Sequence, residues 1–580
     1  MSPKRNAERG EFWVARLQRK GRHAVAVPLF GPGPQVPVKG RIRPDEDEIA
    51  WVRERGSSVQ VINRLGSAGN ARDVCEALAL ERLGRRGFPE GLEAEAEQIA
   101  GSPGKATGSR TDLTALPTFT VDPSTARDFD DAVSAAREGD AIRLWVHIAD
   151  VSAWVRTGSD LDREAARRGN SVYIPTSVEP MLPLPLSAGV CSLSPGKQRL
   201  AVTTEFLLSD SGEISGTSFY RSTVKSDARL DYDQLDRIFA GDESPPADVA
   251  DTIDLARRAA AALTGKRGEL RLEVTSTEPE FEFDSAGNPV AATSYVETEA
   301  HLLIEQLMIA VNEQVASFLQ ESRTPTIYRV HEAPDPDRIE RLFDQLESLE
   351  LPSPPFTEGA GPTEAGRLAV EASRLIATEA LRRGHGGVPY GSLILRSLKP
   401  AQYSAENVGH AGLGSLAYSH FTSPIRRYPD LLVHRGLLEK VGAGEEGPDL
   451  GTVTEVALHC SGTEREAASI ERDADDVCAA FLLERELYES GWGEVFEGEV
   501  SGVIPAGAFV NFGGKLGDVY EGFLPARKIG GRERYTLNEV ETALVGEKSG
   551  NSVRFGDPVS VTVERVNAPL GRVDLSPVTE

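Results

Sequence analysis

The chain opens with short alternating segments. FWVARL, HAVAVPLF and SVQVIN are rich in Val and aromatic residues, and GPGPQVP between them is a turn. Residues 1–71 therefore read as a small β-barrel of the OB or cold-shock kind. Over 72–99 the apolar spacing becomes helical and breaks near Gly87 and Pro89. AGSPGKATGSRTDLTALP follows as a linker, which closes a segment of helix and linker over 72–117. From 118 to 490 strand-like runs such as RLWVHIADVSAWV mix with long helical stripes at 299–319 and 364–384. A block of this length predicts one large α+β domain. Short strands return over 493–578 in VFEGEVSGVI, GAFVNF and PVSVTVERV, the texture of a second OB barrel. The fold class expected is α+β multidomain, with a large α+β domain flanked by small OB-like β-barrels.

Composition narrows this. The chain has 580 residues, 40% hydrophobic and 26% charged, which allows sizeable cores. No apolar run approaches the roughly 18 residues of a membrane helix. The N-terminal basic residues lack an apolar stretch behind them, so no signal peptide is expected. Cys75, Cys191, Cys460 and Cys478 are scattered, which argues against a zinc site or a disulfide framework. The expected compartment is the cytoplasm, with no membrane and no dedicated protein partner evident. The net charge of −26 weighs against a nucleic-acid partner at long range, but does not decide what a local channel binds. Residues 1–25 run the other way, with seven Lys/Arg against two Glu.

Two stretches carry chemistry. VDPSTARDFDD places Asp122, Asp128, Asp130 and Asp131 in a D-x5-D-x-D-D pattern. Four converging carboxylates repel one another and need positive charge. Mg²⁺ answers that need, as a hard ion that takes oxygen ligands and keeps waters for substrate phosphates. A pair of such ions suits in-line attack on a phosphodiester. A solvated acidic loop is the plainer alternative. A calcium loop would want a Gly at its sixth position, which is missing.

The second stretch is HFTSPIRRYPDLLVHR, residues 420–435. Ser423 and Pro424 read as a helix start, with Arg426 and Arg427 beside the first amides. Guanidinium forks there match phosphate oxygens and stabilise developing charge. Surface arginines paired with Asp430 are the alternative.

Together these stretches resemble the ribonuclease II/ribonuclease R family of 3′-to-5′ exoribonucleases. LWVHIADVSAWV, RGNSVYIPTSVEPMLP, IYRVHEAPDPDRIERL, the stretch ending SHFTSPIRRYPDLLVHR, and ASIERDADD follow in the family's order across about 118–490. The resemblance implies a catalytic nuclease domain that degrades single-stranded RNA processively to nucleoside 5′-monophosphates with Mg²⁺, as two ions. It implies metal-binding roles for Asp122, Asp128, Asp130 and Asp131. Asp130 and Arg426 become the catalytic pair, while Arg427 is expected to contact RNA from its place in the arginine stretch. Tyr173 becomes a clamp on the 3′-terminal bases, and Glu471 a residue near the RNA end. His147, Asp150, His331, His420 and His434 fall in similar stretches and are given no chemistry.

The C-terminal segment resembles the OB barrel first described in a small-subunit ribosomal protein. Phe496, Phe509, Phe512 and Tyr520 are its candidate stacking residues, with Phe509 and Tyr520 expected on the RNA face. Three features depart from the family. One amino-terminal barrel stands where two are usual, and no Lys-rich tail follows the C-terminal barrel. A second clamping aromatic falls near Leu272 instead. The alternative function is an RNA-binding regulator built on an inactive nuclease fold.

Overall fold

The computed structural model describes residues 11–578 apart from 103–108, 268–271, 275–277, 356–358, 360 and 531–532. Three of the seven basic residues of 1–25 (Lys4, Arg5 and Arg9), the middle of the linker, parts of RLEVTS and of the Pro-rich loop, and the last two residues lie outside them.

The alternation at the amino terminus gives five strands. They order as Val36–Pro37, His23–Pro28, Phe12–Lys20, Glu48–Arg55 and Ser58–Ser67. A Val38–Val59 bridge joins the two edges. Trp13, Ala15, Leu17, Ala26, Val52 and Val59 fill the interior. The helix Ala71–Leu83 follows, capped by the Asn70 side chain on the Asp73 amide and ended by Gly84 at φ 67°. Its Val74, Cys75 and Leu78 pack on the long helix Leu450–Ser490 through Ile470, Ala474 and Val477. Arg82 ties the two helices through Glu466 and Asp473, both at 2.7 Å.

The heart of the molecule is a seven-stranded sheet. Its order is Ala228–Leu230, Phe119–Val121, Asp131–Glu138, Ala141–Ala149, Gln198–Leu208, Ile214–Lys225 and Thr111–Asp112. The inner strands are antiparallel, and the two short edge strands run parallel to their neighbours. The expected linker is thus partly structural: Thr111–Asp112 closes one edge, and Arg110 reaches the buried Asp150 at 2.6 Å. Asp150 is fully buried between Arg110 and Arg221, which supply the charge that its burial demands.

One helix, Glu299–Glu321, is long and apolar enough by composition to cross a membrane, contrary to the sequence expectation. It is a core helix here. Leu303, Leu307, Val311 and Leu319 pack in the main hydrophobic cluster, and its buried Asn312 bonds Phe421 and Tyr418. Helices Pro336–Ser348, Pro362–Arg383 and Gly387–Ser397 build a second core.

The C-terminal strands Val495–Ile504, Gly507–Phe512, Tyr520–Pro525, Arg572–Pro577 and Pro558–Asn567 close into a barrel. Phe555 from this region is 1% exposed and inserts into the core of the three helices.

Candidate active site

The acidic motif is a hairpin connection. Strand Phe119–Val121 ends at Asp122, the loop runs to Asp130, and strand Asp131–Glu138 returns antiparallel, with Phe119 opposite Val133. Continuing that register sets Asp122 across from Asp130 and next to Asp131. The spacing in the sequence is thus the length of a loop whose two ends meet.

Asp122, Asp128, Asp130 and Asp131 line one cleft of about 480 Å³ together with Tyr173, Tyr232, Glu305, His420, Arg426 and Arg427. Asp130 is 5% exposed. Its Oδ1 accepts the Ile425 amide at 2.9 Å, and its Oδ2 stands 3.8 Å from Arg426 Nε. Burial pushes the Asp130 carboxyl well above the usual carboxylate range, against the pull of Arg426. Burial raises Asp122 too, and the charges of Asp131 and Asp128 add to it. Asp131 is raised by burial and partly relieved by Arg426. Arg426, with Arg229 acting on Asp122, does not compensate four carboxylates.

Oδ2 of Asp122 and Oδ2 of Asp131 are buried without any hydrogen-bond partner. Buried carboxylate oxygens without donors are costly, and a cation removes that cost. Among the described residues, no three His, Cys, Asp or Glu side chains form a ready-made metal cage. Mg²⁺ does not require one, because it keeps waters and phosphate oxygens in its shell. The donor set therefore fits a hard divalent cation.

The arginine turn differs from its sequence reading. Ser423-Pro424 does not start the helix. Arg426 and Arg427 amides close a turn on the Ser423 carbonyl, and the helix begins at Tyr428 with Pro429 in its first turn. Pro429 takes the place where a missing N–H costs nothing. The Ser423 hydroxyl accepts from Arg426 Nη2 at 3.2 Å instead of capping. Asp430 Oδ1 accepts both the Ser423 amide and Arg427 Nη2, each at 2.8 Å. Arg427 thus lines the cleft with its charge largely answered by Asp430, whereas the Arg426 side chain is 49% exposed and free to meet a phosphate.

Tyr173 sits on the short strand Val172–Ile174, beside the arginine turn, because Ser171 N bonds Arg426 O and Tyr428 N bonds Gly169 O. The residue is 38% exposed, and its hydroxyl donates to Asp128 Oδ2 at 3.3 Å. Glu471 accepts the Tyr173 amide at 2.8 Å. Its contact in this structure is therefore to the Tyr173 backbone.

Leu272 lies apart from this cleft and packs, partly buried, against the three-helix core. The aromatic that the sequence reading missed is Tyr232. The edge strand Ala228–Leu230 pairs with Phe119–Val121, which carries Tyr232 into the cleft, where it stacks on His301 at 3.9 Å. No local motif marks it; only the strand pairing does. His420 also lines the cleft, but its Nδ1 is engaged by the Tyr403 hydroxyl at 2.9 Å. Burial and the Arg427 charge hold its pKa well below the usual histidine range. His147 is likewise packed, between Ser134 and Thr203.

In the C-terminal barrel, Tyr520 is not a stacking residue. It is 2% exposed, and its hydroxyl donates to Glu486 Oε2 at 2.9 Å. Phe496 and Phe512 join it in the barrel core. The strand alternation puts Phe509 on the other face, half-buried against Phe523 with ring centroids 5.3 Å apart. A larger cavity of about 820 Å³ lies between this barrel and the long helix. Asp473, Asp475, Asp476, Glu497 and Glu521 line it, so its charge opposes a phosphate backbone.

Residues 110–441 match the RNB domain, and residues 491–577 match the S1 RNA binding domain. Ribonuclease R of Aquifex aeolicus is 35% identical over 503 residues, covering 84% of this chain and 68% of that protein. The chain belongs to the ribonuclease R family. Ribonuclease R of Escherichia coli is 35% identical over 515 residues, covering 84% of this chain. This chain covers 60% of that relative's length. Among solved structures, the apo form of Mycoplasma genitalium RNase R superposes with a TM-score of 0.88 at 23% identity, covering 98% of this chain and 90% of that one. Yeast Ssd1, described as a pseudonuclease, superposes at 0.65 with 16% identity, covering 93% of this chain and 68% of that one. These two likenesses show the fold alone. In this member the acidic quartet and Arg426 are all present and share one cleft.

Proposed function

We propose that the chain is a hydrolytic, processive 3′-to-5′ exoribonuclease that degrades single-stranded RNA to nucleoside 5′-monophosphates. The observation that carries this reading is Asp130, buried between the Ile425 amide and Arg426, with partnerless oxygens of Asp122 and Asp131 in the same cleft. Relatives named ribonuclease R, RNase R structures solved with single-stranded and double-stranded RNA, and the S1 barrel support RNA as the ligand. We place the activity in the cytoplasm, in keeping with four free cysteines.

Asp122, Asp128, Asp130 and Asp131 would hold Mg²⁺, proposed as two ions. When bound, the ions supply a nucleophilic water and neutralise the leaving oxygen. Arg426 meets the non-bridging oxygens of the scissile phosphate and stabilises charge that grows toward the transition state. The Tyr173 ring stacks on the terminal bases without regard to their identity. Its hydrogen bond to Asp128 couples the seat of the last nucleotides to the acidic loop.

The alternative is an RNA-binding regulator built on an inactive nuclease fold; yeast Ssd1 is described as a pseudonuclease. The test uses 5′-labelled RNA and DNA of one sequence, with Mg²⁺ or with EDTA. Stepwise shortening of the RNA from its 3′ end, only with Mg²⁺, supports the proposal. RNA that is bound but left whole supports the regulator. Equal shortening of DNA overturns the assignment to RNA.

A further inference from the structure

The acidic loop between Asp122 and Asp130 has no helix or strand of its own. Something else must hold Asp128 in place, because a carboxylate on a loose loop would lose its aim. At the near end, Arg229 Nη2 donates to the carbonyls of Pro123 and Ser124, at 2.8 and 2.9 Å. At the far end, Asp130 is fixed by the Ile425 amide and by Ala149 N on its carbonyl.

Asp128 lies between these anchors, and the residues on both sides of it converge on one hydroxyl. Ser192 Oγ donates to the Arg127 carbonyl at 3.0 Å and accepts the Phe129 amide at 3.0 Å. The next residue continues the grip: Leu193 N donates to the Phe129 carbonyl at 2.9 Å. Ser192 is 0% exposed, so water does not stand in for it. Ser194 Oγ, at 3.4 Å, is its other hydroxyl neighbour. Its own backbone is held in turn, because Arg199 Nε donates to its carbonyl at 2.8 Å. It follows a π-helical turn, Pro185–Val190, whose end is fixed by Cys191 N on Leu186 O at 3.0 Å. Such turns insert an extra residue and recur beside functional sites.

We propose that Ser192 is a positioning residue for the cation site: its hydroxyl bends the chain at Asp128 and aims that carboxylate into the cleft. The inference rests on the nuclease reading only in taking the cation as a divalent metal ion. Ser192 is buried and does not line the cleft. It acts on Asp128 through the two backbone groups that flank it. Groups that orient a metal ligand typically change metal affinity by about 10- to 100-fold when removed.

The test is Mg²⁺ binding to the full chain without RNA, by titration calorimetry, with folding followed by circular dichroism. Ser192→Ala is expected to stay folded and to bind Mg²⁺ about tenfold more weakly, the lower end of that range. Ser192→Thr, which keeps the hydroxyl, should bind within a few-fold of the parent. In a D128N background, adding S192A should cost no further affinity, since the two changes act on one ligand. Unchanged affinity in S192A, or the same loss with and without D128N, would overturn the proposal. Should S192A not fold, Ser192→Cys replaces it: a poor hydrogen-bonding thiol of similar size must bind Mg²⁺ more weakly than S192T, and the reverse order overturns the idea. A parent protein that binds Mg²⁺ yet leaves RNA whole sinks the nuclease reading alone. One that degrades RNA while S192A binds Mg²⁺ normally sinks this inference alone.

Discussion

Ile425 and Asp130 are 295 positions apart in the chain, yet the Ile425 amide donates to Asp130 Oδ1 at 2.9 Å. That bond joins the acidic hairpin to the arginine turn. It leaves Asp130 Oδ2 toward Arg426 and the cleft. The acidic hairpin and the arginine turn therefore line one cleft, joined by a backbone amide of the second motif that its side-chain pattern does not mark.

Asp130→Asn should abolish hydrolysis and leave RNA affinity nearly unchanged. The amide oxygen still accepts from Ile425, so the joint holds, while one negative charge leaves the cation site. Filter binding and single-turnover cleavage on the same preparation check this. Cleavage at the parental rate would remove Asp130 from the chemistry.

Arg426→Ala should lower the single-turnover rate by roughly 10²-fold or more, the scale of one transition-state charge donor. RNA affinity should fall much less, since many phosphates share the binding. The complementary result, lost affinity with an intact rate, would make Arg426 a binding residue only.

Mg²⁺ binding should strengthen as pH rises. Asp122 and Asp131 have folded pKa values raised above their unfolded ones by burial. A raised acid favours the folded state while protonated. In the metal-free protein that contribution is fully present below roughly pH 4, the ordinary carboxylate value, and is lost as pH climbs through about 6 for Asp131 and about 8 for Asp122. A divalent cation relieves the repulsion where the charges are present. The Mg²⁺-induced rise in melting temperature should thus be small at pH 5, large at pH 8 and reversed by EDTA. A rise equal at both pH values would count against a carboxylate site.

Tyr173→Ala should release longer end products from a 5′-labelled homopolymer, because the terminal stack carries more of the affinity as the strand shortens. Tyr173→Phe separates the ring from the hydroxyl that bonds Asp128. It should keep the parental end-product length on a denaturing gel. Unchanged products from the alanine variant would leave Tyr173 a structural aromatic.

Phe509→Ala should weaken capture of long RNA by about 1–3 kcal/mol, the contribution of one stacked base. Tyr520→Phe should leave RNA affinity unchanged and lower stability, since it deletes a buried bond to Glu486. Point changes are the sound test of this barrel. Removing it whole would strip Phe555 from the three-helix core and Tyr520 from Glu486. The opposite result, RNA binding lost in Tyr520→Phe and kept in Phe509→Ala, would reverse the assignment of the barrel's faces.

The amino-acid sequence by itself determined the mixed α+β multidomain class and the clustering of carboxylates and arginines along the chain. Strand alternation at both ends and helical stripes between them marked small β units around a mixed helix and strand block. The D-x5-D-x-D-D spacing marked the carboxylates, because hairpin ends and loop length are local properties of the chain. Tertiary structure decided what depends on residues far apart. Phe509 and Tyr520 both lie on strands of one barrel, and only the closed barrel and Glu486 separate the surface ring from the core ring. Tyr232 enters the cleft through the pairing of an edge strand, and Ser423-Pro424 loses the helix start to Pro429. Thr111–Asp112 has a linker's composition and becomes a strand because the sheet edge offers it partners. The physical reason is common to all four: periodicity and composition report which side chains avoid water, while hydrogen-bond partners and charge compensation are set by whichever distant groups the fold brings within about 3 Å.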